Sequence, residues 1–397
     1  MIIRQIEKKD LDAYLDLQSY AFPTDPTASS RRERTERNWE HLVALGAFTE
    51  QGELQSAMVL RKYNVFLHGQ SIKMGGIANV ASYPEARGKG NIRALFKEAF
   101  KIMKQENMTL SYLAPFSHVF YRQFGYELVF EMREYSIEDL SLVYDADSTL
   151  SVKRVNGEEE REILAEVYKK TYQSKVGPVD RHEWVWQGKD FKKEEHYVAI
   201  CRNEKGEAEG YLLYSFSSKK GRVFNMNELV AMTGRAEKAL WSFVGSHRAQ
   251  FDRFTFETGG GNNLSHLFKE QWAEQKWVSG MMARVVDMER FLSYYPFQLE
   301  DNQSIIINVN DETIDWNTAH YTIKKENRSI DIKKNGDGKF PDEDTVSADI
   351  KTWSQLFMGA RTVPELHFQE KLKGSEEAIR ALDKVIIRQQ PELYDFF

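Results

Sequence analysis

Between Ile77 and Phe96 the sequence IANVASYPEARGKGNIRALF carries an apolar strand into a basic turn with two glycines, and that turn opens an amphipathic helix. A helix start leaves its first backbone N–H groups unpartnered and carries about half a positive charge. Arg87 and Lys89, set among Gly88, Gly90 and Asn91, add full charges. The pattern predicts an anion site of a size and sign that fits a pyrophosphate. No Gly-Lys-Ser/Thr ends the turn, so it is not a Walker loop, and it lacks the three spaced glycines of a dinucleotide-binding turn. An ordinary glycine-containing helix start is the alternative reading of the same residues.

Two further segments could do chemistry. Ser111 to Tyr126, SYLAPFSHVFYRQFGY, reads as a strand end followed by a short helix bearing Phe120 and Tyr121. At the end of the sequence, Pro391 is followed by Glu392, Leu393, Tyr394, Asp395, Phe396 and Phe397. A frayed terminus is normally polar, so an aromatic one predicts a tail held in a pocket. Other chemistries find no support. The nine histidines show no H-x-x-x-H or H-E-x-x-H spacing for a metal, and His118 reads as packing or solvent-facing. No G-x-S-x-G elbow occurs. Gly259-Gly260-Gly261 suits a turn before Asn262 and Asn263. The single cysteine, Cys201, lies in the apolar run YVAIC and reads as an inert core thiol.

Periodicity supplies the elements that must position these residues. A strand over residues 1–6 precedes a helix from Asp10, and helical spacing resumes from Arg31 to Leu45 through a mixed-charge run. Strand-like stretches at 47–49, 54–63 and 72–83, with turns at Gln51-Gly52 and His68-Gly69, predict an antiparallel meander. An amphipathic helix over 92–105, a strand over 109–114 and a short helix over 117–124 follow. From Ser151 the order repeats loosely: helix 158–172, strands 197–202, 210–217 and 224–232, helix 236–251 and strand 253–258. From Ala283 the pattern changes to a strand and short helix, a strand-rich stretch over 304–333, a loop at 334–339, and helices.

Composition bounds the partners. The chain has 397 residues, 41% hydrophobic and 29% charged, enough for two or three domains with cores of their own. Its 54 basic and 60 acidic residues leave a net charge of −6, which disfavours a nucleic-acid backbone as main partner. No apolar run approaches the ~20 residues that span a bilayer, and MIIRQIEKKDLDAYL lacks the apolar stretch of a signal peptide, so a cytoplasmic protein without a membrane partner is expected.

The R-G-K-G turn with F-Y-R-Q-F-G-Y about thirty residues later resembles the acetyl-CoA signature of the GNAT acetyltransferase superfamily. The looser second copy and the changed pattern after Ala283 resemble, more closely, the Eis-type (enhanced intracellular survival) acetyltransferases. That likeness extends to Ala283–Asp287, Val309-Asn310-Asp311, Trp316-Asn317, Tyr321 and Trp353–Gly359, so it covers essentially the whole chain. One departure is Ile92, where the superfamily usually has Gly or Ala.

The resemblance implies an α/β (α+β) fold of two tandem GNAT-like mixed-sheet domains followed by a sterol-carrier-like α+β domain, divided at 1–147, 148–284 and 285–397. It implies acetyl-CoA as co-substrate without a metal, the pantetheine arm along Val80, Ala81 and Ser82, and the pyrophosphate on Arg87, Gly88, Lys89, Gly90 and Asn91. The stretch NELVAMTGRAEKAL of the second copy has no such turn, so one active site per chain is expected. The acceptor would be a primary amine of an aminoglycoside, polyamine or lysine, with Asp25, Trp39 and Glu40 lining its pocket, and the assembly a homo-hexamer. Tyr121 would protonate the departing thiolate, since a phenol pKa of about 10 lies near a thiol's ~8.5. The α-carboxylate of Phe397 would be the base. A CoA- or lipid-binding module with a vestigial site is the competing reading.

Overall fold

A computed structural model describes residues 1–23, 30–138, 140, 149–189, 191, 196–218, 221–259, 264–267, 274–327, 329–335 and 344–397. The elements, in chain order, are β1 (Ile2–Gln5), α1 (Leu11–Ala21), α2 (Arg31–Arg37), β2 (Leu42–Phe48), β3 (Leu54–Leu67), β4 (Gln70–Ser82), α3 (Asn91–Gln105), β5 (Leu110–Leu113), α4 (His118–Arg122) and β6 (Glu127–Leu128). There follow β7 (Glu131–Ile137), β8 (Ser151–Val155), α5 (Arg161–Tyr172), β9 (Val176–Val179), α6 (Glu183–Gln187), β10 (His196–Arg202), β11 (Ala208–Ser217), β12 (Val223–Ala231), α7 (Gly234–Gly245), β13 (Arg253–Gly259) and β14 (Glu274–Ser279). The last part holds β15 (Met282–Val285), α8 (Met288–Tyr294), β16 (Ser304–Asn310), β17 (Ala319–Glu326), β18 (Ser329–Asn335), β19 (Thr345–Asp349), α9 (Ile350–Phe357), α10 (Val363–Phe368) and α11 (Glu376–Val385).

The expected meander is present as β2, β3 and β4, paired antiparallel. His68 and Gly69 both take positive φ, the conformation that lets a two-residue turn follow the twist of its strands. The helix expected over 31–45 is shorter: α2 stops at Arg37, and Leu42 to Leu45 belong to β2. Their continuous apolar run is buried between β1 and β3, and that pairing outweighs the helical spacing. Similarly, the helix expected over 236–251 ends at Gly245. The glycine pair Gly260-Gly261 and most of the loop at 334–339 lie outside the described residues.

Among the described residues three sheets form, ordered β1-β2-β3-β4-β5-β15-β6 with β9 on β3, then β14-β7-β13-β12-β11-β10-β8, then β18-β17-β16-β19. Strands cross between modules: β15 lies in the first sheet between β5 and β6, and β7 sits within the second. The apolar stripe of α3, including Leu95, Phe96, Ala99 and Met103, packs on one face of the first sheet. The other face, through Tyr63, Val65 and Met74, shares a core with Phe291, Trp353 and Phe357 of the last module. This sandwich brings the end of the chain to the middle of the first sheet.

Candidate active site

β4 and β5 run parallel only from Met74 beside Leu110 to Ile77 beside Leu113, where β5 ends. β4 continues to Ser82 with no β5 neighbour, so one edge of its backbone is open. The strands part at a bulge: Ala57 faces Ala81 and Val59 faces Ala78, leaving Asn79 and Val80 opposite Met58 alone. Asn79 adopts φ 54°. Gln18, a buried residue of α1, holds it there, donating from Nε2 to the Asn79 carbonyl at 3.1 Å and accepting from Asn79 Nδ2 at 3.1 Å.

From this opening a cleft of ≈ 850 Å³ runs past Val80, Ala81 and Ser82 to Arg87, Gly88, Gly90, Asn91, Ile92 and Arg93, roofed by Phe22, Phe116 and Phe120. Gly88 and Gly90 have φ of 75° and 79°, and Gly90 caps α3 in the left-handed conformation. A Cβ at either would meet nothing within 4 Å. Their backbone therefore requires glycine, and the space beside them is open, as a phosphate cradle needs. Arg87 is exposed at the cleft. Lys89 is exposed but does not line it. The Asn91 side chain turns away to Ser56 Oγ at 3.1 Å, leaving only its backbone N–H for an anion. Arg93, not singled out in the sequence, adds a cation to the lining.

Tyr121 stands beyond the end of β5 on the α3 side of the sheet. Its ring packs edge-on against Phe96, Phe116 and Phe120. Burial pushes its phenol well above the ordinary value, and its hydroxyl has no hydrogen-bond partner among the described residues. A phenol in this state is neutral and free to donate.

Phe397 reaches the opposite face. A Cβ at Gly76, one residue before the strands part, would lie 2.6 Å from its ring. The ring sits 4.7 Å from Tyr63, which stacks on Trp184 of α6 at 5.0 Å, which stacks on His41 at 4.9 Å. The tail is fixed further back. Asp395 accepts two hydrogen bonds from Arg181 Nε at 2.9 and 3.0 Å, and Arg181, fully buried, also donates to both oxygens of Glu228. Lys189 contacts both carboxylates, Glu392 pairs with Lys175 at 2.9 Å, and the Tyr394 ring lies 4.8 Å from Tyr172. Burial alone would raise the Glu228 carboxyl, but Arg181 and Lys189 beside it hold it well below the carboxylate range. No spacing in the sequence announces this cluster, because its members come from separate elements.

Of the expected acceptor residues, Asp25 lies outside the described residues. Trp39 packs against the core under α1, and Glu40 is exposed; neither lines the cleft beside Tyr63, the ring that Phe397 meets. His41, Tyr63 and Trp184 line it instead, with Glu106 and Glu183 as its acidic residues.

In the second module β12 and β13 likewise pair in parallel and then part after Met226 and Phe256. There Thr233 caps α7 through Ala236 N, and Arg235 is ion-paired with Glu209, so the helix start is already partnered. Past the divergence stands Glu228, held by Arg181 as described. Among the described residues, no three His, Cys, Asp or Glu side chains come together as a metal site.

Comparison with known proteins agrees with this geometry. Models of the acetyltransferase (GNAT) domain match residues 2–129 and again 177–285, and a model of the sterol carrier protein domain matches 288–394. The chain is 32% identical to a conserved protein of unknown function from Enterococcus faecalis V583, described as a probable N-acyltransferase, with 100% of this chain and 99% of that one covered and a TM-score of 0.91. It shares its fold with Eis1 from Mycobacterium abscessus at 19% identity, all of both chains covered, TM-score 0.80. An uncharacterized N-acetyltransferase of Streptomyces avermitilis is 22% identical over 61% of this chain, and the match spans 62% of that relative.

Proposed function

We propose that this chain, which belongs to the GNAT N-acetyltransferases and has the three-domain Eis-type build, transfers the acetyl group of acetyl-CoA directly to a primary amine through the opening between β4 and β5. The observation that carries the reading is that opening itself: an open cleft leads into it, a buried phenol packs on Phe116 and Phe120 of the cleft wall, and the Phe397 ring meets Gly76 on the other face.

The residues divide the work. Arg87, Arg93 and the N–H groups at the start of α3 bind the pyrophosphate, and the free edge of Val80 to Ser82 binds the pantetheine arm. When bound, acetyl-CoA supplies the acyl group and the thiolate leaving group. The amine nitrogen forms its bond to the acyl carbon as the carbon–sulfur bond breaks. Tyr121 gives its proton to the departing sulfur; burial raises the phenol, but the same apolar surroundings also disfavour a free thiolate, so the transfer stays near balance. The Phe397 carboxylate takes up the proton the amine loses. Its intrinsic pKa of about 3.5 makes it a weak base, so positioning and attraction of the ammonium are its larger part. We extend the proposal to the homo-hexamer implied by the resemblance, which light scattering tests.

Incubation with acetyl-CoA and a panel of primary amines, including an aminoglycoside, spermidine and a lysine peptide, should release thiol and add one acetyl mass to the amine for each thiol. Measurable acetyl-CoA binding with no acetylated product from any amine would overturn the reading in favour of a CoA- or lipid-binding module.

A further inference from the structure

A small recess on the acceptor side of the opening carries three arginines. Asn79, where β4 leaves β5, lines it with Arg31, Arg34, Arg61, His41 and Trp184, and no Asp or Glu lines it among the described residues. The three guanidiniums lie close enough to the buried Tyr14 phenol to oppose the rise that burial imposes on it. Arg61 is the central one. It sits half-buried on β3 directly opposite Gly76, the residue under the Phe397 ring, and shares that face with Tyr63, two residues on. It lies close enough to the Tyr63 phenol to oppose the rise that burial imposes there, and no ion pair joins Arg61 to an Asp or Glu side chain among the described residues.

A half-buried guanidinium without a carboxylate is costly unless an anion completes it, and its planar fork matches a carboxylate. The recess is ≈ 30 Å³. That space admits water-sized polar groups, a carboxylate head among them.

We propose, resting on the acetyl-transfer reading above, that the acceptor is a primary amine bearing its own carboxylate, with Arg61 holding the carboxylate while the amine meets the β4–β5 opening. The recess then acts as a selectivity filter against neutral amines and polyamines.

The test compares matched amines with wild type, Arg61→Gln and Arg61→Lys: 5-aminovalerate against pentylamine, lysine against lysinamide, and spermidine, reading kcat/KM for acetyl transfer and the thermal midpoint of each variant. The expected result is a preference of tenfold or more for the acid in each pair, a fall in that ratio of tenfold or more in Arg61→Gln, and partial recovery in Arg61→Lys. Amines that react without preference for the acid, or with spermidine ahead, overturn the inference and leave the transferase reading intact. An equal loss for every amine in Arg61→Gln, with the acid-to-neutral ratio unchanged, also overturns it, because Arg61 would then be positioning the Phe397 carboxylate. Acetyl-CoA binding with no amine acetylated at all removes the transferase reading, and this inference with it.

Discussion

Replacing Asp395 by asparagine removes one anion from a buried cluster that is neutral as a set: Arg181 and Lys189 against Glu228 and Asp395. The variant keeps the shape of the side chain but leaves the set with one uncompensated positive charge. Arg181 has no exposed side-chain surface and cannot turn to water, whereas Lys189 is about a quarter exposed and can. Breaking a buried pair costs about 3–5 kcal/mol, and the retained Glu228 and mobile Lys189 put this case near the lower end, about 3 kcal/mol. Because Asp395 stands two residues before Phe397, that cost falls mainly on docking of the tail, roughly a hundredfold shift in its equilibrium. The expected outcome is a tail that carboxypeptidase trims readily, a kcat for amine acetylation reduced by tenfold or more, and a KM for acetyl-CoA close to wild type. A trimmed tail with unchanged kcat would refute the role given to the Phe397 carboxylate, and a tail that stays protected would refute Arg181 as its anchor.

Gly76→Ala places a Cβ 2.6 Å from the Phe397 ring, so the terminal residue must shift; kcat should fall while acetyl-CoA binding, measured by calorimetry, changes little. Gly90→Ala forces an L side chain into the left-handed conformation that caps α3, at a cost of about 1–2 kcal/mol, and should raise the acetyl-CoA KM several-fold without lowering the thermal midpoint by more than a few degrees. Since burial raises the Tyr121 phenol and its protonated form is the active one, kcat should show no alkaline fall up to pH 9.5; a descending limb centred near pH 8 would contradict the assignment. The Glu228 carboxyl is held below its unfolded value of about 4.3, so its contribution to stability is present above that pH and is lost as pH falls beneath it. Denaturant midpoints measured from pH 7 to 3 should therefore fall less steeply in Glu228→Gln than in wild type.

The cleft along residues 77–96 was legible because its signal is local. A strand, two glycines flanked by cations and an amphipathic helix occupy twenty consecutive residues, and the structure opens a cleft along them. Leu42 to Leu45 misled because an apolar run fits either a helix or a buried strand, and pairing with β1 and β3 decides between them. The pairing of β15 with β5 and β6 joins segments roughly 155 to 175 residues apart, and no periodicity encodes it. The same limit hid the residues about the amine side. Arg61 looks like one charge in a strand until its register sets it opposite Gly76. Gln18 is one polar residue in α1 until the bulge at Asn79 meets it. Arg181, Glu228 and Asp395 meet only when the tail crosses the second module.

The most direct test of the transfer site compares steady-state kcat of wild type and Tyr121→Phe with one reactive amine, alongside acetyl-CoA affinity by calorimetry. Because the Tyr121 hydroxyl has no partner among the described residues, its removal leaves no orphaned group, and folding and acetyl-CoA affinity should be preserved. Loss of a general acid is worth about 10²–10⁴-fold in rate, and a fall of that size is the predicted result. A kcat within threefold of wild type, with affinity unchanged, would contradict the placement of chemistry at this opening.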